Sequence, residues 1–331
     1  MPKKLISKSD KILQSKTLYS VTHKKQIPPS GDIHDYMSVG SYWWPDSTTV
    51  DGLPYIRKDG VTNPEYYEIT DSKEMDKLEN DVEMLSLCYY FTKDEKYAEF
   101  ATKLIENWFI DEQTKQNPNL NFGQGIKGRN TGRGTGIIET RELYKIIDAS
   151  ILLQTSKSWS VKNQIILKKW FSDYLKWLKE SPIGIEEEDS KNNHGTYFSF
   201  QVLVFAIFSD HLEIANNEIA IIKDRLDKQI SSDGSQPFEL ERTKSWNYVN
   251  MNMYGYFLLA KAAEKININL WNYKTKQNAS IEKTLEWNLP FYSKTKAWEF
   301  EQIKDPENRD AIKLYSWELK FLINLNIKNL Q

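Results

Sequence analysis

From residue 71 onward, apolar side chains return at helical spacing. Leu78, Val82, Leu85 and Tyr89 lie three or four apart and mark one face of a helix, and Asp71-Ser72-Lys73-Glu74 ahead of them has the composition of a helix start. A second helix is expected over Lys96 to Phe109. The period resumes at Leu143, Ile146, Ile147 and Ile151, and again at Ile166, Trp170, Tyr174, Trp177 and Leu178. Further helices are expected at about 196–209, 213–231, 249–265 and 309–325, with Asp233-Gly234 turning the chain at the end of one of them. No strand ladder and no short exact repeat is visible.

Two stretches break this texture. Residues 1–70 carry Pro28, Pro29, Pro45, Pro54 and Pro64 with Gly31, Gly40, Gly52 and Gly60, which predicts turns and extended loop. Residues 117–136 hold six of the 14 glycines. Paired helices joined by loops suit an α/α toroid or a solenoid-like arc, and a four-helix bundle would need fewer helices. Irregular loops on a rigid scaffold are the usual seat of a functional site.

Composition narrows the function classes. The 331 residues are 40% hydrophobic and 27% charged, with a formal net charge of −2, which is ordinary for a globular chain. At about 100–200 residues per domain, the length allows one large domain or two small ones. The balance of charge argues against a general nucleic-acid binder or a binder of acidic membranes, but leaves room for a locally basic cleft and a polyanion. The longest apolar run, Val202 to Phe208, is far short of the ~20 residues that span a bilayer. Met1-Pro2-Lys3-Lys4 leads into no apolar leader core, so a cytoplasmic chain or a mature exported one is expected. Cys88 is the single cysteine, which excludes an intramolecular disulfide. With 11 Trp and 18 Tyr the chain is rich in flat rings, which serve either large cores or sugar-stacking clefts.

Arginine is scarce: seven Arg stand against 37 Lys. Arg57, Arg129, Arg133 and Arg242 fall in irregular or motif-like segments, where a planar fork suits carboxylate recognition better than an ammonium does. His194 lies in Lys191-Asn192-Asn193-His194-Gly195-Thr196-Tyr197 at the mouth of an expected helix, whose free N–H groups favour an anion. His34 is followed by Asp35, which could orient it or satisfy a turn. Arg242 and Tyr248 are six apart, off a common helical ridge unless the segment is partly loop. A cation near a phenol lowers its pKa from about 10 toward a usable value, so a tyrosine so placed can take and return a proton. No HExxH, Cys/His cluster, EF-hand loop, dinucleotide fingerprint or nucleophile elbow is present, so no metal and no cofactor is expected.

Five ordered segments resemble the alginate lyase superfamily of polysaccharide lyases. They are Ser30-Gly31-Asp32-Ile33-His34-Asp35-Tyr36 running to Tyr42-Trp43-Trp44-Pro45-Asp46, then Asp51-Gly52-Leu53-Pro54-Tyr55-Ile56-Arg57 with Asn63-Pro64-Glu65. Gly132-Arg133-Gly134-Thr135-Gly136-Ile137-Ile138-Glu139-Thr140, Asn192-Asn193-His194-Gly195, and Glu241-Arg242-Thr243 to Tyr248 follow in order. The resemblance covers about residues 20–265. It implies an all-α, incomplete (α/α) toroid as a single domain over 1–331, with 25–70 as an N-terminal lid segment. It also implies metal-independent β-elimination of a 1,4-linked polyuronate, alginate or glucuronan, by a periplasmic or secreted enzyme expected to be a monomer.

Carried over residue by residue, the family's Asn-His pair falls on Asn193 and His194, and its Arg and Tyr on Arg242 and Tyr248. Gln124 and Arg133 are implied as substrate contacts. The lid loops would add Tyr42, Trp43, Trp44, Tyr55, Arg57 and His34. The chemistry fits: removal of H5 beside a charged C6 carboxylate is hard, and Asn193, His194 and Arg242 could neutralise that group. Tyr248 could take H5 and protonate the leaving O4 where both lie on one ring face; for guluronate His194 would be the base and Tyr248 the acid. Two other classes are conceivable. A glycoside hydrolase would need a carboxylate pair, drawn from Asp46 or Asp51 with Glu239 or Glu241. A non-catalytic polysaccharide binder would tolerate the loss of Tyr248. The region from about 266 on, with Trp271, Trp287, Trp298 and Trp317, is expected to close the scaffold and carries no assigned chemistry.

Overall fold

Helices form where the apolar stripes were read, with ends up to about five residues from expectation. The computed structural model describes residues 3–304. The helix expected at 309–325, and Trp317 within it, lie outside the described residues. Among the described residues two compact units are present, one of residues 3–187 with 204–212 and one of 188–203 with 213–304.

The first unit contains α1 (Lys3–Ser15), α2 (Asp71–Thr92), α3 (Glu95–Phe109), α4 (Tyr144–Leu153), α5 (Val161–Glu180) and nearly all of α6 (Pro182–Glu188). Helix α2 packs on α1, α3 and α4 through its apolar stripe, with Leu78, Val82 and Leu85 fully buried. Side-chain caps set two starts: Asp94 accepts from Lys96 N ahead of α3, and Ser160 from Asn163 N ahead of α5. Much of the aromatic content is core. Phe109 meets Trp170 edge-on at 4.8 Å, Phe171 lies 4.9 Å from Phe205, and the Trp108 and Trp170 indoles donate to the side chain and the carbonyl of Gln116.

Helix α1 corrects the expectation of loop throughout 1–70. Its sequence is lysine-rich, and it is docked by side chains distant in sequence: Tyr97 donates to Asp10 at 2.8 Å and Ser9 to the Met84 carbonyl. Four short strands correct the expectation of none. Strand β1 (Met37–Val39) pairs in parallel with β4 (Phe122–Gly125), and β2 (Trp43–Trp44) in antiparallel with β3 (Ile56–Arg57). Runs of two to four residues are too short to print an alternating pattern. A buried ion pair anchors this region: Lys24 Nζ lies 3.0 Å from Asp71 Oδ2, with both side chains fully buried, and Asp71 also accepts from Met37 N. Burial pushes the Asp71 carboxyl up and the Lys24 ammonium down against their mutual attraction.

The second unit holds the start of α7 (Asn193–Phe208), nearly all of α8 (Leu212–Gln229), then α9 (Pro237–Leu240), α10 (Ser245–Ala263) and α11 (Ile281–Tyr292). Gln229 is a buried polar hub whose amide oxygen accepts from Thr196, Asn252 and Tyr256. Trp246, Trp287, Phe291, Tyr292 and Trp298 form an aromatic cluster. The chain after α11 returns to the start of α10, where Ser245 N donates to the Glu301 carbonyl and Ile303 N to the Thr243 carbonyl. Helices α6 and α9 were not anticipated, and α11 falls in the region expected to supply the last helices of the scaffold. Among the described residues no helix is long and apolar enough to cross a membrane.

Candidate active site

The second unit gathers the four residues singled out for chemistry around a fifth. The gathering starts from the way α7 begins. Arg225 on α8 donates to the Ser190 and Glu188 carbonyls and to the Ser199 hydroxyl, pinning the loop before α7 to the helix itself. Gly195 makes this possible, because a Cβ there would stand 2.1 Å from both the guanidinium and the Ser190 carbonyl. Asn192 accepts from His194 N at 3.1 Å, so a side chain takes up one of the free N–H groups of the first turn.

Asn193 is fully buried and bound twice to Glu239 on α9: its backbone N–H donates to Oε1 at 2.5 Å and its amide Nδ2 to Oε2 at 2.9 Å. The amide oxygen of Asn193 is buried without a hydrogen-bond partner. Glu239 is only 1% exposed, and burial pushes its carboxyl up to about 7, against the lowering effect of the Asn193 bonds and of the nearby Arg242 and His194 charges. Arg242 and His194 therefore lie close enough to Glu239 for their charge to act on it.

Arg242 lies in the loop between α9 and α10, its backbone N–H donating to the Glu239 carbonyl. Tyr248 is in the first turn of α10. The loop resolves the six-residue spacing: the guanidinium carbon sits 3.8 Å from the Tyr248 ring centroid, in cation–π contact. Arg242, Tyr248 and His194 are each partly exposed. Gln302 braces the start of α10 from the returning segment, accepting from Trp246 N and donating to Asn247 Oδ1 at 2.7 Å.

The first unit assembles a second group from the lid loops and the glycine-rich segment. Glu139 accepts from the Tyr36 and Ser38 hydroxyls at 2.7 and 2.6 Å. Ser38 in turn accepts from Gln124 N at 2.8 Å, holding Gln124 in the left-handed region at φ 48°. Both oxygens of Gln124, main chain and side chain, accept from the Arg133 guanidinium. Glycine permits the packing, since a Cβ on Gly136 would stand 2.6 Å from the Gly123 carbonyl. Arg133 then lies 5.7 Å from the Trp43 ring centroid, and Arg129 lies 5.2 Å from it. Burial and the neighbouring Arg57 charge lower the Arg133 pKa from its usual value.

The remaining candidates stand in other surroundings. The Tyr55 ring is buried and its hydroxyl donates to Glu65, which also pairs with Lys127 at 2.6 Å. Trp44 donates to the Val61 carbonyl under the Lys58 ammonium, the Tyr42 carbonyl accepts from Lys58 N, and Arg57 donates to Asp59. His34 is bonded through Nδ1 to the Lys115 carbonyl. Of the carboxylates considered for a hydrolase, Asp46 caps a turn at Thr48, Asp51 accepts from Leu53 N, and Glu241 is exposed. Among the described residues no group of three or more His, Cys, Asp or Glu could hold a metal ion. Three residues of evident structural weight were missed in sequence: Glu139, Gln302, and Glu239 in the part it plays here.

The family model described as Alginate lyase matches residues 20–298. The crystal structure of an alginate lyase from Bacteroides ovatus is 36% identical, over 92% of this chain and 80% of that one, with a TM-score of 0.88. Alginate lyase A1-III from Sphingomonas species A1 shares 16% identity over 92% of this chain and 81% of its own, with a TM-score of 0.54. A histidine-to-alanine variant of alginate lyase A1-III complexed with tetrasaccharide gives 17%, 90%, 80% and 0.58 respectively. These last two are likenesses of fold alone. No curated protein matches this sequence.

Proposed function

The chain belongs to the alginate lyase family, with an all-α, incomplete (α/α) toroid fold and polysaccharide lyase activity on an anionic polysaccharide, and from that premise we propose that Tyr248 is its acid–base group in β-elimination of a 1,4-linked polyuronate. The observation that carries this is the grouping of Asn193, His194 and Arg242 about the buried Glu239, with Tyr248 against Arg242. Family membership also sets aside the hydrolase and the non-catalytic binder.

Asn193, His194 and Arg242 bind the C6 carboxylate and carry the negative charge that spreads into it as C5 loses its proton. The positive end of α7 works in the same direction. The Tyr248 oxygen takes H5. The C5–H electron pair becomes the C4=C5 double bond, the C4–O4 bond breaks, and O4 receives the proton from Tyr248. The product carries a 4,5-unsaturated uronate at its new non-reducing end. The Arg242 guanidinium against the Tyr248 ring stabilises negative charge on that phenol, which favours Tyr248 in both proton transfers and hence mannuronate or glucuronate, where H5 and O4 share a face. Trp43 flanked by Arg129 and Arg133 offers a flat face and fixed cations to a uronate ring.

The test is ultraviolet absorbance of the conjugated product, with polymannuronate, polyguluronate and glucuronan supplied separately and a chelator present. A rise on polymannuronate or glucuronan that Tyr248→Phe abolishes and the chelator leaves alone is expected. A rise undiminished in Tyr248→Phe removes Tyr248 from the mechanism.

A further inference from the structure

The Asn193–Glu239 pair is arranged in a way that conflicts with the task proposed for Asn193. An ionised carboxylate only accepts hydrogen bonds. It therefore holds Asn193 by its two donors, the backbone N–H and Nδ2, and leaves Oδ1 as the end of the amide that Glu239 does not engage. That oxygen is buried and has no partner. An orphaned acceptor is costly, and it would repel a substrate carboxylate. A group meant to neutralise a carboxylate has to offer its donors.

We propose that Glu239 is a positioning residue that acts in its protonated form, donating to Asn193 Oδ1 and turning the amide NH2 toward the substrate carboxylate. This rests on the function proposed above. The proton resides on Oε2, while Oε1 continues to accept the Asn193 backbone N–H. A half-turn of the amide exchanges its ends, so the orphaned oxygen gains a donor and both amide N–H groups occupy the place it left. No other bond changes. One proton is drawn from solvent as the uronate carboxylate arrives, so the anion is matched by a neutral acid behind the asparagine.

The surroundings of Glu239 suit a carboxyl that changes state near neutral pH. Among the described residues, His194 on α7, Arg242 in the loop after α9 and Tyr256 on α10 interact electrostatically with it, and burial holds its pKa at about 7 despite the lowering effect of Arg242 and His194. A carboxyl nearly free of water gains most from having its charge removed.

Glu239→Gln tests this directly. Glutamine presents a carbonyl to the Asn193 backbone N–H and an NH2 to Oδ1, which is the protonated arrangement made permanent. The expected result is a kcat in mildly acidic buffer within about threefold of wild type, with the alkaline limb of the pH–rate profile moved up by about one pH unit or more. Glu239→Ala, which can hold neither end, is expected to lose about 100-fold in kcat. If Glu239→Gln folds and loses as much as Glu239→Ala, or keeps the wild-type alkaline limb, the proposal is overturned. Calorimetry supplies a readout that needs no turnover. Tyr248→Phe is titrated with a uronate oligosaccharide at mildly alkaline pH in buffers of different ionisation enthalpy. Uptake of about one proton per oligosaccharide, absent when Glu239→Gln is added, is expected. No uptake overturns the proposal. Failure of the wild type to produce unsaturated ends would instead strike the proposed function.

Discussion

The two groups of candidate residues are built on different physical plans. In the second unit the side chains proposed for chemistry are tied to a fully buried hydrogen-bonded pair, Asn193 and Glu239, and to the first turns of two helices. In the first unit Arg133 and the indole of Trp43 are half-exposed, Arg129 is exposed, and all are set by loops, with hydrogen-bonded order one step back in Glu139, Ser38 and Gln124. On the function proposed above, the difference corresponds to a division between chemistry and holding. Stabilising a transition state demands groups that do not move as charge develops. Holding a polymer demands a flat, wettable surface whose strength comes from several modest contacts.

Substitutions can break that comparison. Tyr248→Phe is expected to have the largest effect, a loss of about 1,000-fold in kcat with binding retained, measured by product absorbance alongside calorimetric titration. Arg242→Ala is expected to lose about 100-fold in kcat, with partial recovery in Arg242→Lys, because the ammonium keeps the charge but not the planar fork. Arg133→Ala and Trp43→Ala should act differently, raising KM about five- to tenfold while kcat changes by less than about threefold. Should Arg133→Ala lower kcat as steeply as Arg242→Ala, the division between chemistry and holding collapses.

Two stability measurements sharpen the contrast between the buried anchors. Asp71→Ala leaves Lys24 charged and unpaired in a fully buried site, and is expected to cost about 3 kcal/mol in denaturant unfolding. The smallest effect is the dependence of stability on Glu239 ionisation. Its folded pKa of about 7 lies above the value of about 4.3 expected in the unfolded chain, so folding retains a proton that unfolding releases. Its contribution is complete below about pH 4 and is lost as pH rises through about 7. The melting temperature of the wild type should therefore fall between about pH 5 and pH 8 by a few degrees more than that of Glu239→Gln.

Much of the helical framework was legible because long helices with one buried face must repeat apolar residues. Residues 71–109 are the clearest example, where stripe, acidic start and left-handed stop at Lys93 agree. Helix α1 has its own apolar face in Leu5, Ile6, Ile12 and Leu13, but it is short and precedes a proline- and glycine-rich stretch whose texture dominated the reading of 1–70. The strands were illegible because so few residues carry no period. At the site, the segment from Glu239 to Tyr248 was visible as a dense patch, yet nothing local separates Glu239 from Glu241. One is 1% exposed and bonded to a helix start 46 residues earlier, while the other faces solvent. Gln302 fell in a region assigned no chemistry, since its contacts with residues 246 and 247 cross more than fifty residues.

By itself the sequence determined the quantities that are local or periodic: a chain of amphipathic helices, two glycine- and proline-rich interruptions, an Asn-His pair at a helix mouth, and an arginine ahead of a tyrosine. Five ordered segments were enough to name a family. Tertiary structure decided what depends on distance through space. It chose which of two neighbouring glutamates loses its water, set the Arg242 guanidinium against the Tyr248 ring by placing a loop between two helices, and left the Asn193 amide oxygen without a donor. Burial and hydrogen bonding are properties of a packed neighbourhood, and they shift a carboxyl from ordinary to nearly neutral pKa without altering a letter of the sequence around it.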